Sequence, residues 1–235
     1  MAFDVYVGPF TRYITGDWEN AGQQAAREQG VPYQLIRADE TEEAPPPTED
    51  VRQAVESWLD AINQGLKAHV PHKLAWDESE QAPYFTERPG WPAYAALLLH
   101  AAYDDHPEMA RPAELPEEWG EDSAYKASTA EDSDTRYPAI LAANLWLPGE
   151  FEFMFGVEDL GGNERAVASC KALVDELKDL NQRTFALSEA QLAELRSQPA
   201  PETAAFENLA RSGLACFLGL AETSANRHLP MMLDY

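Results

Sequence analysis

Basic side chains are scarce in this chain: 17 lysines and arginines stand against 41 aspartates and glutamates, for a net charge of −24. The shortage argues against nucleic acid as a ligand, because such binding starts with cations neutralising phosphates. An anionic membrane surface is disfavoured for the same reason. Cysteine is scarce too. Cys170 and Cys216 fall within helical patterns among apolar neighbours, which suits reduced core thiols better than a disulfide framework, although spacing alone leaves a bridge between them open. No apolar run approaches the roughly 20 residues that span a bilayer; the longest mostly apolar stretch is Trp91 to Tyr103. The opening Met1-Ala2-Phe3-Asp4-Val5 lacks the basic segment and apolar run of a signal peptide. A soluble, cytoplasmic protein is expected. Also missing are a repeat period, a Gly-x-Ser-x-Gly elbow and the glycine spacing of a phosphate loop. The sequence therefore assigns no catalytic residue and no cofactor.

The charge that is present is unevenly placed. Through Asp134 there are 27 acids and 9 bases, a net of −18, while the remainder holds 14 and 8, a net of −6. Such a field opposes compaction but keeps a protein dispersed and steers cationic partners toward it. The 235 residues, 45% of them hydrophobic, suffice for a sizeable core.

Phe3 to Val7 alternates as a strand does, and Gly8-Pro9 breaks it. Asp17 is expected to cap a helix running to Gln29 with Gly30 as its stop, and Val31 to Arg37 reads as a second strand. Residues 39–47 combine Asp39, Glu40, Glu42 and Glu43 with Pro45, Pro46 and Pro47, which predicts an extended loop. Thr48 then caps an amphipathic helix carrying Val51, Val55, Trp58, Leu59, Ile62 and Leu66. A short strand is expected at Lys73 to Trp76, and Gly90-Trp91-Pro92 opens a helix with little polar face. From Asp104 to Asp134 there are 11 acids with only Arg111 and Lys126 as bases, an excursion expected to be solvated or partly disordered. Pro138 opens a helix over Ala139 to Leu147. Phe151 to Val157 alternates as a strand, Gly161-Gly162 marks a turn, and Asn163 caps a helix carrying Val167, Cys170, Val174, Leu177 and Leu180. Ser188 and Gln191 form a capping box, and Phe206 to Leu218 lies on a last helix. The sum is one helix-dominated α+β domain over residues 1–235, with a small β-sheet.

Three functions follow from these patterns. Charge segregation favours an acidic protein-binding module, inhibitor-like or immunity-like, that neutralises a basic protein such as a co-encoded toxin or nuclease. Its expected contact residues are Glu117, Glu118, Trp119, Glu121, Asp122 and Tyr125, with aromatic anchors inside an acidic rim. The alternative is a metal-dependent hydrolase using His100, Asp104 and His106, since His100 and Asp104 share a helix face at i and i+4. A small-molecule binding protein is the third, with some of Trp18, Trp58, Trp76, Trp91, Trp119 and Trp146 lining an apolar cavity. His69-Val70-Pro71-His72 lacks the spacing of a helical zinc motif. Ser169-Cys170 reads as mid-helix and apolar, a poor setting for a thiolate.

Overall fold

The computed structural model describes residues 3–32 and 46–234. β1 (Asp4–Val7) is fully buried. Gly8-Pro9 turns the chain into an unforeseen helix, α1 (Phe10–Thr15), and the Glu78 carboxylate accepts from the Phe10 and Thr11 N–H groups at 2.9 and 2.7 Å in place of a local cap. α2 (Ala21–Gln29) begins at Asn20, not Asp17: Asn20 and Gln23 exchange side-chain-to-backbone hydrogen bonds, and Gly30 ends the helix at φ 65°. Of the strand expected over Val31 to Arg37, Val31 and Pro32 are exposed irregular chain. Its other residues, with Asp39, Glu40, Glu42, Glu43 and Pro45, lie outside the described residues.

α3 (Thr48–Leu66) buries Val51, Val55, Ile62 and Leu66, with Pro47 at the cap position and Thr48 as its first residue. No strand forms at Lys73 to Trp76. The Asn63 side chain instead accepts from the Leu74 N–H at 2.6 Å and donates to its carbonyl at 2.9 Å. β2 (Phe85–Glu87) leads to α4 (Trp91–Asp105), buried almost all round as its composition predicts. The acidic excursion holds a 3₁₀ turn at Trp119–Glu121 and α5 (Ser123–Ser128).

Several elements after it depart from the sequence pattern. The helix opened by Pro138, α6 (Pro138–Leu141), stops early, and Leu145–Leu147 form β3. β4 (Phe155–Glu158) is shorter than the expected strand, with Phe151 and Phe153 in irregular chain beside it. Residues expected to open a helix at Asn163 form β5 (Glu164–Ser169), and α7 (Cys170–Arg183) starts only where the Ser169 side chain accepts from the Ala172 N–H. Cys170 is thus at a helix start. α8 (Glu189–Ser197), with the expected Ser188–Gln191 box, and α9 (Phe206–Arg227) precede an unforeseen last strand, β6 (Met231–Asp234).

Among the described residues the strands make one six-stranded mixed sheet in the order β2-β1-β6-β3-β5-β4, parallel only between β3 and β5. Side chains alternate across it, as the two-residue period demands. Phe3, Val5, Val7, Trp146, Ala168, Met231 and Leu233 meet the core formed with α4, α7 and α9. Tyr6, Leu145, Leu147, Val167 and Met232 meet the second core, formed with α1 and α3. The sheet therefore divides two apolar layers, and the helix-dominated α+β class expected from the sequence is observed. On the larger side α4 and α9 approach closely because Gly213 has no side chain to meet the Ala93 carbonyl. Trp146, 1% exposed, satisfies its indole N–H by donating to the Ala139 carbonyl at 2.9 Å.

Candidate functional site

The excursion from Asp104 to Asp134 packs against the larger core and does not trail in solvent. Met109, Leu115, Trp119 and Tyr125 lean on that core, and Ala124 and Ser128 are buried. Two tethers fix it: the Phe206 N–H donates to the Ala113 carbonyl at 3.1 Å, and the Tyr103 hydroxyl donates to Asp122 at 2.8 Å. Asp122 also caps α5 by accepting from the Ala124 N–H at 2.8 Å. Trp119 and Tyr125 meet edge to face, centroids 5.2 Å apart, and remain half-buried.

The six residues expected at a protein contact thus divide by role. Glu117 and Glu118 are exposed and make no ion pair among the described residues, Glu121 pairs with Lys126, Asp122 is committed to holding the segment together, and the two aromatics form its anchor. Glu114, Glu131, Asp132 and Asp134 are likewise exposed and make no ion pair among the described residues.

The trio His100, Asp104 and His106 is not gathered on one site. His100 is 1% exposed, its ring stacked on Phe185 at 4.3 Å, and neither ring nitrogen has a hydrogen-bond partner among the described residues. Burial, with the Arg111 charge adding to it, lowers its pKa from 6.5 to about 3, so the ring is neutral. Asp104, one turn on, accepts from Arg183 Nε and the Tyr137 hydroxyl, each at 2.7 Å, and has Arg136 at 3.8 Å. Burial would raise the Asp104 pKa, but the bonds from Arg183 and Tyr137 outweigh it and hold the carboxyl below its ordinary value. α4 ends at Asp105 ahead of Pro107, so His106 leaves the shared helix face and sits 3.5 Å from Glu108. Among the described residues no group of three or more His, Cys, Asp or Glu side chains is placed to hold a metal ion.

The thiols offer no nucleophile. Cys170 and Cys216 are both buried and unbridged. Burial pushes Cys170 up to about 12 and Cys216 well above its usual value, so neither forms a thiolate at neutral pH. Glu176 is a carboxyl group shifted the other way from Asp104: it accepts from the Ala139 and Ile140 N–H groups at 3.0 and 2.9 Å, opening α6, while burial pushes its pKa up to about 7 against their pull.

A second acidic surface escaped the sequence reasoning. A groove of about 570 Å³ between α3 and residues 76–81 is lined by Val55, Leu59 and Trp76, by Glu56, Asp77, Glu78 and Glu80, and by a single cation, Arg52, which lies 3.9 Å from Glu80. The run Asp77-Glu78-Ser79-Glu80 directly after Trp76 was the available signal, and it became informative only once α3 was laid beside it. Among the described residues no helix is long and apolar enough to cross a membrane. Comparison with protein-family models, with curated proteins and with solved structures finds no match for the chain.

Proposed function

We propose that the chain is an acidic protein-binding module of the inhibitor or immunity kind, whose partner is a basic protein such as a toxin or nuclease encoded beside it. The observation that carries this reading is the ordered acidic excursion, in which the exposed Glu114, Glu117 and Glu118, unpaired among the described residues, directly precede a half-buried Trp119–Tyr125 pair. A rim already held in place loses little freedom on association. Its carboxylates can occupy the cationic surface with which a nuclease meets phosphates, and the aromatic pair supplies the contact from which water is excluded. The groove beside α3 adds carboxylates of the same sign on another face.

The test is recovery of a partner from the native organism, followed by stopped-flow association at about 50 and 200 mM salt. A basic partner is expected, with association slowed about tenfold or more by the added salt. The triple variant E114Q/E117Q/E118Q should reproduce that slowing at low salt, and W119A should mainly speed dissociation. Asp122 is left intact because it holds the segment. Recovery of acidic or neutral partners only, or association indifferent both to salt and to the triple variant, would overturn the proposal.

A further inference from the structure

The smaller core is not fully closed. Between α1, α3, the sheet and the β4–β5 turn lies a pocket of about 270 Å³, walled by Phe10, Ile14, Trp58, Leu145 and Met232. This exceeds the roughly 150 Å³ in which an apolar cavity accepts benzene and falls below the ~300 Å³ at which drug-sized sites begin. One ring with a short arm fits such a space. Leu160 stands at the mouth, 39% exposed and one of three large apolar side chains so exposed among the described residues.

One end of the pocket is polar and rigidly built. Arg165 on β5 donates from Nε to Asp159 at 2.7 Å, with the two side chains only 16% and 18% exposed. Asp159 also accepts from the Gly161 and Asn163 N–H groups, each at 2.9 Å, so the turn is locked around the ion pair. The Trp58 indole N–H donates to the Glu158 carbonyl at 2.8 Å and ties that turn to α3. With Nε engaged, the two terminal guanidinium nitrogens of Arg165 carry no hydrogen bond to the described residues. Tyr13 also lines the pocket, its hydroxyl donating to Asp234 at 2.7 Å.

We propose that this pocket binds a small one-ring carboxylate, its ring against Phe10, Trp58 and Met232 and its carboxylate on the free edge of the Arg165 guanidinium. A guanidinium held on one edge by Asp159 presents the other as a pre-aligned fork for two parallel N–H···O bonds. The acidic surface does not forbid an anion there, because exposed charges beyond about 10 Å are largely screened at 0.1 M salt while the local pair is not. The proposal is independent of the protein-binding reading, and each can fail alone.

Calorimetric titration of the full chain with benzoate, phenylacetate and phenylpropionate, each beside its neutral amide, tests it. At least one carboxylate should saturate, with its amide binding at least about tenfold more weakly. R165M should weaken the carboxylate at least about tenfold. R165K, which keeps the charge but loses the planar fork, should weaken it in the same direction should R165M fail to fold. I14W, which fills the pocket and leaves the ion pair alone, should abolish binding. The proposal is overturned if no carboxylate saturates up to about 10 mM, if amide and acid bind alike, or if the folded variants bind like the parent.

Discussion

Replacing His100 by leucine should remove part of the protein's acid sensitivity. The ring is 1% exposed and lacks any partner for its nitrogens among the described residues, a burial that costs about 1–3 kcal/mol for an unsatisfied polar group. Its stacking on Phe185 returns about 0.5–1.5 kcal/mol. At pH 7 the variant should therefore be as stable as the parent or up to about 2 kcal/mol more so. The larger effect is at lower pH. With a pKa of 6.5 in the unfolded chain and about 3 in the fold, His100 binds a proton between those values only when the protein unfolds. Its contribution is thus unfavourable below pH 6.5, and the penalty grows until the folded-state pKa is passed. At pH 5 this amounts to about 2 kcal/mol, a sizeable part of the ~5–15 kcal/mol that holds a domain folded. Urea unfolding of parent and H100L at pH 7 and pH 5 measures it directly. The variant should gain about 2 kcal/mol on the parent over that interval, since the titration of the carboxylates is common to both. Parallel pH dependence in the two proteins would show that His100 is not held neutral and refute the reasoning.

Glu176 works in the opposite sense. Its pKa of about 7 against 4.5 means that the fold favours the protonated acid, so stability is lost as pH rises from 4.5 through 7; E176Q should gain about 2–3 kcal/mol on the parent between pH 5 and pH 8 in the same unfolding assay. G213A places a methyl group against the Ala93 carbonyl where α4 and α9 cross, and thermal unfolding should register a loss of about 1–3 kcal/mol. Removing the Tyr137 hydroxyl in Y137F takes one donor from Asp104 but leaves Arg183 in place, so a loss of about 1 kcal/mol is expected by chemical denaturation, without the larger collapse that an unpaired Asp104 would cause.

Several helix boundaries were legible because their signals are local. Ser188 with Gln191, Gly30 after Gln29, and Pro92 behind Gly90 all act within a few residues of the boundary they set. The sheet was less legible. Val167 and Cys170 stand at a helical spacing, yet Val167 lies in a strand held between β3 and β4, where pairing on both sides overrides the local preference. Leu145-Trp146-Leu147 is continuously apolar and carries no period to read. Of the candidate surfaces, the excursion was visible as charge, but its order was not, since Phe206 anchors it from a distant segment and Tyr103, just before it, reaches across to Asp122. The pocket at Arg165 draws on α1, α3, three strands and a turn, and no short stretch of sequence announces it.

β6 is the seam of the sheet. Met231–Asp234 pairs on one side with β1, more than two hundred residues earlier in the chain, and on the other with β3. Until β6 leaves the ribosome, the β1–β2 pair and the β3–β5–β4 group can form only as separate half-sheets, each with the edge that β6 covers left open. Contacts so far apart in sequence form slowly, and open edges invite pairing with other chains in the meantime. A net charge of −24 on every copy makes nascent chains repel one another through that interval, so the acidity would also shield an unfinished sheet.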